Sequence, residues 1–424
     1  MSSPISRLDR RLNRRNWLAA TSAVLTAGAA TGVGAALAGC ATAGGAQPGA
    51  DANQATRGTG DLGVVIGRAN GTLTIVDTTA RAALGTVEGL GDLSHASVVF
   101  SRDGLYAYVF GRDGGLTRVN LLARRITRRV MQAGNSIGGA ISDDGALVAA
   151  QNYTPGGIKV FDARTLELLA DVPALYGATG QRSRVVGLAD LPGRRFAYSL
   201  FDADAICITD CSDIKNPVTQ RFERVGHQPY DGLVTPDGRY YIAGLFGEDG
   251  MALIDLWAEP LTVRRILDGY GQGEQKLPVY KMPHLRGWSV AGRQAWLPAV
   301  GRHEVLVADT ESWQLAGRVP VAGQPVFVIA RPGGRQVWVT FAVPDYGHVQ
   351  VIDTPSQRVI KTLEPGQAVL HLEFTPRGEA AWISCRDDNR VRVVDTRSFE
   401  TLASLDVSSP SGVFFTARAA RIGF

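Results

Sequence analysis

The chain has 424 residues, 45% of them apolar and 50 of them glycine, with a formal net charge of +4. This composition fits a turn-rich β protein, in which a closed repeat can exceed the usual size of one core. The charge is small for this size and no Lys/Arg block lies outside the N-terminus, which disfavours nucleic-acid binding. Cys40, Cys207, Cys211 and Cys385 form neither CxxC nor CxxCH, which excludes a zinc ribbon, a thioredoxin-like motif and a covalently attached c-type heme.

The first segment reads as an address. Arg10, Arg11, Arg14 and Arg15 precede Trp17–Gly39, a span without charge, as in an export signal. Arg14-Arg15-Asn16-Trp17-Leu18 resembles a twin-arginine signal, which carries folded proteins. Leu37-Ala38-Gly39-Cys40 resembles a lipobox, with Cys40 the expected lipidation site. The span is rich in glycine and uneven in hydropathy, which suits a transmembrane anchor less well. Residues 1–40 are therefore expected to be a lipoprotein signal peptide and 41–60 a flexible linker rich in Gly, Ala, Gln and Thr. The working body is expected in the periplasm, held near a membrane by lipid on Cys40.

From residue 61 onward the chain repeats. Apolar strands ending in one small polar residue recur at Asp77, Asn120, Asp162, Asp210, Asp255, Asp309, Asp353 and Asp395, with a mean spacing of about 45 residues, the length of a four-stranded propeller blade. A second series of turns, at Gly104, Gly145, Gly193, Gly238, Gly292, Gly333 and Gly378, runs in phase with the first. Together they predict an all-β, eight-bladed β-propeller over residues 61–424. Gly63–Gly67 and Thr72–Asp77 start in mid-blade, and Ser411–Ala417 is a leftover strand at the other end. Pairing the N- and C-terminal strands would close the ring and remove its open edges.

In such a ring the loops entering the innermost strands converge on one rim. Counting back from each inner turn gives His95, Ser136 with Ile137, Arg184, Pro229 with Tyr230 and Asp231, Pro283 with His284, Gln324 with Pro325, and Val369 with Leu370. His95 and His284 share one blade position, and imidazole is a common axial ligand of heme-type iron. Arg184 suits a carboxylate, because guanidinium binds one bidentately; a rim salt bridge is the alternative. Tyr230 and Asp231 are read as exchanging hydrogen bonds with a ligand or as pinning their loop. His227, His303, His348 and His371 are read as solvated or hydrogen-bonded histidines, and Cys207 and Cys211 as free thiols or a disulfide rather than metal ligands. GxSxG, HExxH, a P-loop and a dinucleotide fingerprint are all missing.

Three stretches carry a resemblance: SHASVVFSRDGLYAYVFGRDGGLTRVNL from Ser94, YDGLVTPDGRYYIAGLFGEDGMALIDL from Tyr230, and KMPHLRGW over Lys281–Trp288. They are similar to blades of the heme d1 domain of cytochrome cd1 nitrite reductases. No CxxCH is present, so the cytochrome c domain of the reductase and of its relative NirN is lacking. HQPYDG places Tyr230 where the reductase has one of two active-site histidines. The single-domain, exported NirF group, required for heme d1 formation, is the part of the family the chain resembles. The resemblance implies non-covalent binding of heme d1 or a late precursor, with His95 as axial ligand of its iron. It further implies that Arg184, Ser136 and Gln324 line the cofactor, and that His284, Tyr230 and Asp231 position or deprotonate its periphery. Nitrite reduction is not expected, because one distal histidine is replaced. Three roles stay open: an oxidoreductase-type enzyme acting on a late precursor, a carrier passing cofactor to a NirN-like protein or the nitrite reductase, and a protein-binding scaffold. A homodimer is also left open.

Overall fold

The computed structural model describes residues 57–269, 287–421 and Gly423. The expected signal peptide, Cys40 and His284 lie outside the described residues. Eight four-stranded antiparallel sheets follow one another as the blades of a propeller, with one added hairpin that pairs Leu175–Tyr176 with Gln181–Arg182. The blades are numbered here in chain order. Their innermost strands are Pro410–Phe415 in blade 1, then Ser97–Phe100, Asn135–Ile141, Val185–Leu191, Pro229–Val234, Ser289–Ala291, Pro325–Ala330 and Val369–Phe374 in blades 2 to 8.

The ring closes as expected. Pro410–Phe415 runs antiparallel to Leu62–Gly67, with Gly63 opposite Phe415 and Val65 opposite Val413. Blade 1 thus takes its inner strand from the C-terminus and its other three from the N-terminus, so ladder hydrogen bonds tie the two ends together. The body starts earlier than the expected linker boundary. Arg57 already pairs with Asp61 and Asp77, and the Thr59 hydroxyl donates to the Asp103 carbonyl.

The repeated polar residues have a local cause. Each ends the third strand of its blade, where its side chain accepts backbone N–H groups of the next turn. Asp162 Oδ1 takes those of Arg164 and Thr165 at 2.9 and 2.7 Å, and Asp395 Oδ1 takes those of Arg397 and Ser398 at 2.8 Å. These are Asx turns, which an ionised carboxylate favours; the Ser398 N–H accordingly holds Asp395 below its usual pKa. At the inner turns, Gly104 at φ 66° returns its N–H to the Ser101 carbonyl. An L side chain rarely adopts that conformation.

Apolar side chains of the blades form clusters, several shared between neighbours. Trp296, Trp338 and Trp382 in the second strands of blades 6, 7 and 8 are fully buried. Trp382 meets Phe415 of the closing strand edge-on at 5.6 Å, so the core of blade 8 continues into blade 1.

Beyond Phe415 the chain turns under the hub through the 3-10 helix Thr416–Ala420. Arg418 bonds Glu373 of blade 8. Arg102, on the inner turn of blade 2, donates to the carbonyls of Ile141, Ser142, Ala419 and Arg421 and to the buried carboxylate of Asp190 at 3.2 Å. Asp190, in blade 4, also accepts the Gly423 N–H at 2.9 Å. A Cβ on Gly423 would collide with Val234 of blade 5. The tail therefore crosses from blade 8 to blade 5 and covers the hub at the end carrying the inner turns.

Candidate active site at the open rim

At the opposite end, His95, Arg112, Tyr153, Arg184, Val186, Phe201, Tyr230 and Phe246 line a pocket of about 230 Å³. They come from two rings of positions. His95, Arg184 and Tyr230 stand at the entry to innermost strands. Arg112, Tyr153, Phe201 and Phe246 stand where the second strands of blades 2 to 5 end or have just ended.

Bulges set the directions of these side chains. In blade 5 the register skips from Pro229 opposite Leu245 to Gly232 opposite Ala243, which leaves Tyr230 and Asp231 out of the ladder. Such an extra residue re-aims a side chain, a common device at rims. Gly187, at φ 64° in the bulge of blade 4, lies so close that a Cβ would sit 2.4 Å from the Gly232 nitrogen and 2.8 Å from the Tyr230 carbonyl. Two irregular strands can touch there only without a side chain.

The apolar wall is aromatic. Tyr230 lies 5.9 Å from Phe201 and 5.6 Å from Phe246, and the two phenylalanines lie 5.7 Å apart. The hydroxyls of Tyr153 and Tyr230 are 3.2 Å apart. Burial raises the pKa of both phenols, and Tyr230 raises that of Tyr153 further. They stay protonated at neutral pH.

The two arginines differ. Arg184 is already committed: its Nε lies 3.1 and 3.2 Å from the two Asp202 oxygens, its Nη2 2.5 Å from Oδ1, and its guanidinium stacks on Phe201 at 4.2 Å. Burial by itself would raise the Asp202 pKa, but the Arg184 bonds bring it below the usual carboxylate range. The salt bridge is the arrangement found. Arg112 has its backbone clamped, its N–H on the Asp92 carbonyl and its own carbonyl accepting from Ser136. Its guanidinium lies 5.9 Å from the Tyr153 ring and forms no ion pair among the described residues.

The other expected residues fall as follows. His95 is exposed on the pocket's rim, where an axial ligand must be reachable. Asp231 is half-buried, and its Oδ1 accepts the Gly232 N–H. Ser136 is fully buried and donates to the Gln151 carbonyl at 2.6 Å, so it braces the bulge of blade 3 instead of facing a ligand. Gln324 is 4% exposed, and neither of its amide atoms has a hydrogen-bond partner. Cys207, Cys211 and Cys385 are free and buried; burial pushes their thiols to about 12, 11 and 12, so they are inert. Among the described residues no group of three or more His, Cys, Asp or Glu side chains could hold a metal ion.

Sequence reasoning missed Arg112, Tyr153, Phe201 and Phe246. The same counting, applied to the ends of the second strands, finds all four.

Comparison with known proteins decides the family. The Cytochrome D1 heme domain family matches residues 57–419. Protein NirF of Stutzerimonas stutzeri is 61% identical over 373 residues, which cover 88% of this chain and 95% of that protein. Protein NirF of Pseudomonas aeruginosa is 59% identical over 368 residues, covering 87% and 94%. The chain belongs to the cytochrome d1 heme domain family, in its NirF branch. A solved structure titled dihydro-heme d1 dehydrogenase NirN in complex with DHE has the same fold, with a TM-score of 0.74 at 24% identity over 85% of this chain and 76% of that one. In this NirF-branch propeller the rim pocket opens at the end of the hub opposite the C-terminal tail.

Proposed function

We propose that the rim pocket binds heme d1 or its late precursor non-covalently and holds it for transfer, as a step in heme d1 maturation. Membership of the d1 domain family and the NirF branch supports this reading. One observation carries it: an exposed imidazole, an uncommitted guanidinium and a wall of three mutually tilted aromatic rings share one pocket. His95 would ligate the iron, and Arg112 would take a carboxylate of the macrocycle, the task first expected of Arg184. Phe201, Tyr230 and Phe246 offer apolar surface to the ring. The pocket is below the roughly 300–1,000 Å³ usual for small-ligand sites. A tetrapyrrole would therefore lie across its mouth, with one edge reaching in.

When bound, the tetrapyrrole supplies the redox and iron chemistry. The described residues hold it and give hydrogen bonds. Tyr153 and Tyr230 are donors kept neutral by burial, unsuited to draw a proton from a substrate at neutral pH. This favours a holding role over a proton-abstracting one. Export, lipid on Cys40 and delivery to a NirN-like protein or cytochrome cd1 nitrite reductase complete the proposal. They rest on the export motifs of residues 1–40 and on the family resemblance.

Load purified protein with one equivalent of the late precursor, add nitrite reductase lacking its d1 cofactor, and extract the tetrapyrrole from each protein. The holding role predicts stoichiometric transfer with unchanged mass. Conversion of many equivalents by the protein alone would replace it with the enzyme reading.

A further inference from the structure

His371 lies not in a solvated turn but in the innermost strand of blade 8. The register there skips from Val369 opposite Cys385 to Leu372 opposite Ile383, so Leu370 and His371 form a bulge. This is the bulge position that Tyr230 and Asp231 occupy in blade 5. Blade 8 stands across the hub from blade 4, whose Arg184 and Phe201 line the rim pocket.

Three neighbours hold the imidazole. Its ring stacks on Phe414 of blade 1 at 5.4 Å and meets Phe327 of blade 7 edge-on at 5.7 Å. The backbone N–H of Val413 donates to its Nδ1 at 3.2 Å. The buried hydroxyl of Ser384 accepts the His371 N–H at 2.9 Å and donates to its carbonyl at 3.0 Å, which locks the bulge itself. Arg418 lies over the Phe414 ring at 5.1 Å and is paired with Glu373. Crowding of the ring, with a smaller contribution from Arg418, pushes its pKa down to about 3.

An Nδ1 that accepts from a backbone amide cannot carry a proton. The neutral ring therefore carries it on Nε2. Such an imidazole can donate a hydrogen bond from Nε2. While it carries that proton Nε2 can neither accept another nor ligate a metal, and Nδ1 is occupied by the Val413 N–H. Nε2 has no hydrogen-bond partner among the described residues, and part of the residue's surface stays open.

We propose that His371 is a second ligand contact, an Nε2–H donor to a neutral oxygen on the edge of the bound macrocycle, two blades round the hub from Arg112. An uncharged donor in an aromatic wall suits an uncharged acceptor, because a carboxylate buried there would lack a counter-charge in contact. His371 thus selects a macrocycle bearing oxygen on its ring over one without, while Arg112 serves any carboxylate-bearing tetrapyrrole. Ser384 is a positioning residue acting through the bulge. The inference rests on the pocket reading above.

The test compares wild type with His371→Phe and with His371→Met, a second donor-free variant that asks less of the aromatic wall. Each is titrated with heme d1 and with protoheme, which lacks ring-bound oxygen. Selective 15N labelling of the six histidines gives the tautomer without any ligand. The proposal predicts an Nε2-protonated His371 that does not titrate between about pH 5 and 8. It predicts heme d1 affinity about 5- to 20-fold weaker in each folded variant, the share of one hydrogen bond. Protoheme affinity and the axial-ligand absorption should not change. Equal heme d1 affinity in wild type and a folded variant, equal losses for both hemes, or an Nδ1-protonated ring would each overturn it. Failure of the wild type to bind heme d1 at all would instead overturn the pocket reading, and this inference with it.

Discussion

Arg112 and Arg184 line one pocket and differ in what they already hold. Asp202 occupies the fork of Arg184, whereas the Arg112 guanidinium has no ion-pair partner among the described residues. Arg112→Gln should weaken heme d1 binding by roughly 10-fold or more, the worth of a charge-assisted bond, and leave thermal stability near wild type. Arg184→Gln should do the reverse, loosening its loop with a smaller effect on affinity; a calorimetric titration beside a melting curve reads both. Asp190 gives a pH prediction. Burial raises its pKa to about 6, partly offset by Arg102. The folded state thus holds this proton more tightly than the unfolded chain. Its contribution to stability is complete below the unfolded pKa near 4 and is lost as pH rises through about 6. Melting temperatures of wild type and Asp190→Asn, taken from pH 4 to 7, should therefore show the variant gaining relative to wild type as pH rises. A difference independent of pH would contradict the assignment. Such residue-scale features were half legible in the sequence. His95 and Tyr230 were found by counting along a repeat. Arg184 was found for its charge, but its partner Asp202 comes from the turn after the next strand, and sequence spacing does not show which carboxylate fills a fork. His371 was passed over because a one-residue bulge moves a side chain to the other face, and nothing in the residue types marks the bulge.

At the scale of strands and turns the sequence was far more explicit, for a physical reason. Asp or Asn at the end of a third strand and Gly at the first turn are each demanded by a local hydrogen bond or by a positive φ, so the first recurs in all eight blades and the second in the seven whose inner strand leads into a turn. Closure is likewise local once the half-blades at the two ends are recognised. Its energy lies in the seam, where Trp382 packs on Phe415. Trp382→Ala should cost about 3–5 kcal/mol, in line with large-to-small changes at a buried aromatic. In hydrogen exchange the variant should lose protection first over Pro410–Phe415 and its partner Leu62–Gly67. Uniform loss across all blades would mean that the seam is not the weak point. The C-terminal tail was not foreseen. Ser411–Ala417 reads as one strand, yet the strand ends at Phe415 and the chain turns beneath the hub, held by the side chain of Arg102, which is far away in sequence but in the neighbouring blade 2.

For the whole molecule, the ring brings residues from blades 2 to 5 together at one rim, and the tail covers the other end of the hub. Among the described residues the pocket at the hub is bordered by His95, Arg112 and Tyr230, so the proposed receipt and delivery would use this one face. The central claim is that this face grips a preformed iron macrocycle through His95. Its most direct measurement is an absorption titration of wild type and His95→Ala with heme d1. The account predicts saturation at one equivalent for the wild type, with a ligand-field spectrum that His95→Ala loses while its far-UV spectrum and melting temperature are kept. Identical heme d1 spectra and affinities for the two proteins would contradict it.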